Sequence, residues 1–217
     1  MAGVKICGVT TNEALDAALA GGARFVGFVV YPQSPRHLSR DQLAALAARA
    51  RGRAETVIVT VDAGDDLLAG VAEIARPDWI QLHGGESPGR VANAARYAGR
   101  GVIKALGVAR PDDLAQVDAY AGAADMLMFD AKPPPGGLPG GNALAFDWAI
   151  LARRAFARPW MLSGGLTPSN VAEAITASGA ALVDVSSGVE SSPGLKDPLL
   201  VAQRRGPFWR LRRPFRR

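Results

Sequence analysis

Eight short apolar runs punctuate the chain, and each is followed by an Ala- and Leu-rich stretch that carries helical signals. The runs are VKICG (4–8), FVGFVVY (25–31), TVIVTVD (56–62), WIQLHG (79–84), GVIKALGV (101–108), DMLMFDA (125–131), PWMLSGG (159–165) and ALVDVSSG (181–188). They begin 21 to 34 residues apart, the spacing of one strand plus one helix. Most are continuously apolar rather than alternating, as parallel strands buried on both faces are. Eight such units predict an α/β fold, a single (βα)8 TIM barrel, and ~200–250 residues are enough to build one. A doubly wound open sheet is the alternative. It calls for a Gly-rich turn after its first strand, and here Cys7-Gly8 stands with no GxGxxG.

The intervening stretches predict helices over 11–21, 40–52, 65–76, 88–99, 111–122, about 144–157 and 168–178. Ser39-x-x-Gln42 resembles a capping box, Pro88, Pro111 and Pro168 suit first turns, and Gly21-Gly22 and Gly179 suit helix ends. The final stretch, PLLVAQRR, gives about two turns before Gly206-Pro207. The predicted organisation is a barrel over 1–205 and an atypical basic, aromatic tail over 206–217.

Composition excludes several classes. With 48% hydrophobic and 21% charged residues the chain is globular, neither disordered nor collagen-like. Cys7 is the single cysteine, so no internal disulfide forms, and a reducing, cytoplasmic setting is expected. No apolar run reaches the ~18 residues of a membrane span, and the N-terminus has no signal-peptide pattern. The net charge of +5 is misleading, because residues 204–217 hold seven arginines and no acid. Without them the balance is 18 basic to 20 acidic residues, so no nucleic-acid binding is expected of the barrel.

In a barrel of this kind the active site lies at the C-terminal ends of the strands. The unusual polar residues gather there: Cys7, Arg36, Asp62, His83, Asp130, the Ser163-Gly164-Gly165 turn, and Asp184 with Ser186-Ser187-Gly188. Taken singly, Cys7 reads as a small core residue, His83 as a strand-end cap and Arg36 as a solvated loop charge. Asp130 closes the apolar run MLMF, where an acid must be paired, hydrated or functional. Gly164-Gly165 and Ser187-Gly188 are either ordinary tight turns or the phosphate-binding loops common after strands seven and eight.

The motifs KICG (5–8), SPR (34–36), QLHG (81–84), FDAK (129–132), GG with FDW (140–141 and 146–148), SGGL-x-P-x-N-V (163–171) and DVSSGVE-x-x-PG-x-KD (184–197) run in order along the chain. Together they resemble the phosphoribosylanthranilate isomerase family of tryptophan biosynthesis. That resemblance implies an Amadori rearrangement of N-(5-phosphoribosyl)anthranilate to 1-(2-carboxyphenylamino)-1-deoxyribulose 5-phosphate, with no metal and no cofactor. It implies Cys7 as general base, Asp130 as general acid, Arg36 as holder of the anthranilate carboxylate, and Gly164, Gly165, Ser187 and Gly188 around the phosphate. Lys5, His83 and Asp184 are possible supporting residues. The expected partner is a small phosphorylated substrate, with no membrane; the motifs carry nothing on oligomeric state.

The residue types suit that chemistry. Opening the furanose ring needs a proton at the ring oxygen, so Asp130 must be protonated, a state favoured by apolar surroundings and a negative substrate. The resulting iminium acidifies the C2 proton, which a Cys7 thiolate can remove. Free thiols are mostly protonated at neutral pH, so a nearby cation is expected to help, and Lys5 lies two residues away on the same strand face. Arg36 offers a planar fork for a carboxylate. The chain departs from the family at Asn142-Ala143, where Thr-Gly is usual, at the TVD end of strand three, and after Lys196-Asp197. Two further readings stay open: a sugar-phosphate-binding barrel that no longer catalyses, and a tail that binds acidic partners.

Overall fold

The computed structural model describes residues 3–133, 140 and 144–202. Eight parallel strands close in sequence order: β1 (Gly3–Cys7), β2 (Phe25–Val29), β3 (Glu55–Thr60), β4 (Trp79–Leu82), β5 (Gly101–Val108), β6 (Met126–Ala131), β7 (Trp160–Leu162) and β8 (Leu182–Val185). Strand β1 pairs with both β2 and β8, which disposes of the open-sheet alternative. The helices are α1 (Asn12–Gly21), α2 (Arg40–Ala50), α3 (Asp65–Ala75), α4 (Pro88–Ala94), α5 (Ala149–Ala152), α6 (Val171–Ser178) and α7 (Pro198–Ala202). Among the described residues no helix is long and apolar enough to cross a membrane. The predicted tail, 206–217, and Asn142-Ala143 lie outside the described residues.

Local chemistry explains most boundaries. Helix α2 starts at the predicted capping box: Gln42 N donates to Ser39 Oγ at 3.3 Å and Ser39 N to Gln42 Oε1 at 2.9 Å. Helix α1 stops at Gly22, whose left-handed φ of 85° needs no Cβ. Four predicted helices differ. That over 88–99 is α-helical only to Ala94 and ends in a 3₁₀ turn, Ala95–Tyr97. Residues Pro111–Tyr120 wind as a 3₁₀ helix, because Leu114, Val117 and Tyr120 face the core at intervals of three, the 3₁₀ period. The stretch over 144–157 keeps one turn, α5. Phe156 leaves the helix to pack its ring 4.6 Å from Phe129 and 5.5 Å from Trp160. Helix α6 begins at Val171 because Asn170 accepts from Thr167 N at 2.8 Å and donates to Gly165 O at 2.9 Å, tying down the preceding loop.

The apolar residues form two cores. The larger lies between the sheet and the helices; the smaller, with Phe25, Val57, Ile103, Met126, Met128 and Met161, fills the barrel. The strand residues that point inward alternate. Continuing that alternation upward reaches Lys5 and Cys7 on β1, Gln81 on β4, Asp130 on β6 and Asp184 on β8, all buried. The barrel is thus apolar below and polar toward the C-terminal ends of its strands.

Lys104 takes the outward alternation on β5 and is buried. It donates to Glu86 at 2.7 Å and to Gly84 O at 2.7 Å. Glu86 in turn accepts from Asp62 N at 2.9 Å. The pair therefore fixes the turn that follows β4.

Candidate active site

The strand ends surround two adjoining cavities. One, of about 490 Å³, has Cys7, Arg36, Tyr31, His83 and Asp130 in its wall. The other, of about 330 Å³, is bounded by Gly164, Gly165, Leu166, Ser186 and Ser187. Asp130, Gly140, Ser163, Asp184 and Ser186 belong to both, so the two form one continuous cleft. Every residue singled out in the sequence lies at this end of the barrel. Gly188 alone of the predicted phosphate set stands behind the lining, because its Cα backs onto Leu166; a Cβ there would lie 1.9 Å from Leu166 O.

Cys7 closes β1. Gly27, on the neighbouring strand, makes room for it: a Cβ at Gly27 would lie 2.9 Å from Cys7 Sγ and 3.2 Å from Lys5 Cε. Burial and the Asp184 carboxylate push the Cys7 thiol up, and the Lys5 ammonium pulls it back without overcoming them. Lys5, expected to favour the thiolate, therefore opposes a stronger effect, and the resting group is a thiol. Lys5 itself would be lowered by burial, yet the Asp184 carboxylate beside it holds it above its ordinary value. Its ammonium donates to Asp184 Oδ1 and Gln81 Oε1, both at 2.9 Å.

Asp130 faces Cys7's cavity from β6. Its Oδ1 accepts from Ala131 N at 2.9 Å, and its Oδ2 lies 3.2 Å from His83 Nε2. Gly140 (φ 73°) packs against both side chains, with room for no Cβ: one would lie 2.9 Å from His83 Cε1. Asp184 Oδ2 accepts from Ser163 Oγ at 3.2 Å, joining the floor of the second cavity to Lys5.

Arg36 is buried beside β1. Its Nε and a terminal nitrogen each donate to Glu190 at 2.8 Å, a bidentate pair. Glu190 also accepts from Lys196 at 2.5 Å. Burial would raise the Glu190 carboxyl, but Arg36 and Lys196 hold it below the usual carboxylate range. Glu190 and Lys196 lie on a hairpin, β9 (Glu190–Ser192) and β10 (Leu195–Lys196), whose Gly194 packs on Pro35 O and accepts from Thr10 Oγ1 at 2.8 Å. Glu190, Lys196, Gln81 and Gly27 have no role that the sequence alone assigns. The glycine inside FVGFVVY was a usable signal of close approach; the others become visible once the barrel brings distant strands together.

In the second cavity Gly164 (φ 89°) and Gly165 (φ 64°) turn the chain sharply. Their backbone N–H groups take no part in the turn's hydrogen bonds among the described residues. Ser187 opens a 3₁₀ turn, whose first N–H groups have no partner within it. Such exposed N–H groups on adjacent loops form an anion-sized concavity.

The profile of the N-(5'-phosphoribosyl)anthranilate (PRA) isomerase family matches residues 4–204. An N-(5'-phosphoribosyl)anthranilate isomerase of Cereibacter sphaeroides is 51% identical over 205 residues, covering 93% of this chain and 97% of the relative. One from a Caulobacter species is 52% identical over 203 residues, covering 93% and 95%. The crystal structure of phosphoribosyl anthranilate isomerase from Thermotoga maritima superposes with a TM-score of 0.83 at 34% identity, over 93% of this chain and 96% of that one. A structure of the enzyme in complex with reduced 1-(o-carboxyphenylamino)-1-deoxyribulose 5-phosphate gives 0.80 at 33% identity, covering 93% and 95%. With that match along nearly the whole barrel, the chain is an enzyme of the N-(5'-phosphoribosyl)anthranilate isomerase family.

Proposed function

We propose that this enzyme converts N-(5-phosphoribosyl)anthranilate to 1-(2-carboxyphenylamino)-1-deoxyribulose 5-phosphate in tryptophan biosynthesis. The observation that carries the proposal is the placing of Cys7 and Asp130 in the wall of one cavity that also contains Arg36. The adjoining cavity at Gly164, Gly165 and Ser187 suits the substrate's phosphate, and Arg36 suits its carboxylate. The protein named for this activity in complex with the reduced product analogue supports the same reading.

Protonated Asp130 gives its proton to the furanose oxygen as the C1–O bond breaks. The anilino nitrogen supplies its lone pair, and an iminium forms at C1. The positive charge beside it favours loss of the Cys7 proton to solvent, and the thiolate then removes the C2 proton; the C2–H electrons form the C1–C2 double bond and neutralise the iminium. The resulting enol loses its hydroxyl proton and gains one at C1, leaving the amino-ketose. Cys7 ends as the thiol it began as and Asp130 ends one proton short, and the proton released earlier to solvent is returned to Asp130 by exchange. A thiol raised by burial suits this order, because the base is needed after a positive charge has formed beside it. Lys5 and Asp184 position Cys7's surroundings from below, and His83 holds Asp130. A free thiol base also requires a reducing compartment, the cytoplasm.

Loss of phosphoribosylanthranilate fluorescence in a coupled assay tests the proposal. Cys7→Ala and Asp130→Asn are each expected to lower turnover by about 10²–10⁴-fold while binding persists. Arg36→Met is expected to weaken binding of the anthranilate end. Near-wild-type turnover in either of the first two variants rejects the assigned role.

A further inference from the structure

The buried polar groups of the barrel form one hydrogen-bonded chain from the base to the acid. Lys5 sits beneath Cys7 and donates to Gln81 Oε1 at 2.9 Å. Gln81 Nε2 lies 3.1 Å from His83 Nδ1, and His83 Nε2 lies 3.2 Å from Asp130 Oδ2. Gln81 is fully buried between them.

Hydrogen-bond chemistry sets the direction of this chain. An ammonium has donors only, so the Gln81 atom facing Lys5 must be its oxygen. The amide NH2 must then face His83, and its second proton points toward Met128 Sδ at 3.3 Å, a weak acceptor. An N–H donor aimed at Nδ1 requires that nitrogen to be unprotonated. The ring proton is left on Nε2, facing Asp130. The titratable groups around the chain are Lys5 and Cys7 on β1, Asp184 on β8 and Asp130 on β6.

We infer that Gln81 is a positioning residue of this reaction: fixed by the Lys5 ammonium, it holds His83 neutral in the Nε2–H tautomer, so that an N–H always faces Asp130. That N–H is a donor for the carboxylate that forms as Asp130 gives up its proton, and it holds the acid's oxygens in place before the transfer. The same lysine thus acts on Cys7 directly and on Asp130 through two intermediates. This inference rests on the reading of Asp130 as the general acid.

The chain has two histidines, so ¹⁵N spectra of histidine-labelled wild-type enzyme, with His37→Gln for assignment, read the His83 tautomer directly. The expected result for the neutral ring is protonated Nε2 and bare Nδ1. A protonated Nδ1 in the neutral ring of the wild type overturns the inference. Gln81→Glu keeps the shape but offers an acceptor to Nδ1. It should protonate Nδ1, lower kcat by about tenfold or more with KM within about twofold, and displace the pH profile of kcat. Gln81→Met removes the restraint without adding charge. It should give a mixture of tautomers and an intermediate kcat. If both variants keep the wild-type tautomer, kcat and pH profile while Asp130→Asn is inactive, the inference fails and the assignment of Asp130 stands. If Asp130→Asn is active, the assignment itself fails, whatever Gln81 does.

Discussion

Arg36 and Glu190, 154 residues apart in sequence, meet in a two-pronged ion pair with both nitrogen–oxygen distances at 2.8 Å. The carboxylate restrains the guanidinium from one edge, and Lys196 restrains the carboxylate. This arrangement holds Arg36 in position before any ligand arrives. Glu190→Gln removes the charge from the restraint at nearly constant shape. Hydrogen bonds to charged groups contribute about 1.5–3 kcal/mol, so KM is expected to rise about ten- to a hundredfold with a smaller change in kcat. Steady-state kinetics check this, and an unchanged KM would show that Arg36 needs no such support.

Cys7 alkylation offers a second test, because it is the single thiol. Its value is raised by burial first and by Asp184 second, so at neutral pH the thiolate fraction is below that of free cysteine. Iodoacetamide should react more slowly than with free cysteine at pH 7, and the rate should keep climbing above the ordinary thiol value of about 8.5. Lys5→Met removes the main opposing influence and should slow the reaction further at each pH. A faster reaction in that variant would count against the electrostatic assignment.

The Lys104–Glu86 pair is buried on both sides. Lys104→Met leaves an uncompensated carboxylate and should cost about 3–5 kcal/mol of stability. The reverse removal, Glu86→Leu, also orphans the N–H groups of Asp62 and Gly84, so the double variant should not recover wild-type stability. Burial would raise Glu86, but Lys104 and the backbone donors hold it below its usual range. Its folded value is thus lower than its unfolded one. The contribution is complete above the unfolded value of about 4.3 and is lost as pH falls through the folded value. Glu86→Gln should flatten the acid limb of an unfolding curve followed by circular dichroism.

Gly165→Ala probes the second cavity. The position has a φ of 64°, and a Cβ would lie 2.7 Å from Leu144 O. Strain of about 1–3 kcal/mol should move the turn and raise the inhibition constant of inorganic phosphate about ten- to a hundredfold. Retained phosphate inhibition in that variant would place the anion elsewhere.

The fold was legible because the eight apolar runs carry their own rhythm, and the barrel rule then located Cys7, Asp130 and Arg36 at one end. Individual helices were less so. The Leu114, Val117 and Tyr120 spacing of three was present in the sequence, yet it fits a helical pattern of either period. The α5 segment was shortened by Phe156, whose aromatic partners lie on β6 and β7. Within the site, Glu190 and Gln81 were missed for one reason. A hairpin glutamate and a strand glutamine acquire their roles from partners 154 and 76 residues away. Asp62, left without a role, turns out to shape a loop: its φ is 47° and its Oδ1 accepts from Gly85 N at 2.8 Å.

The Lys5–Asp184 contact spans 179 residues and joins the first strand to the last. The ammonium beside the Cys7 thiol therefore has its counter-ion only after the two ends of the sheet have met. Long-range pairings of this kind are formed late and slowly, since the intervening chain must be ordered first. An intermediate that has assembled β1 to β7 would contain Cys7, His83, Asp130 and Arg36, yet it would carry a buried cation without its carboxylate. Enzymatic competence on refolding is thereby tied to closure of the ring, and recovered turnover dates that final event in a way that helix content cannot.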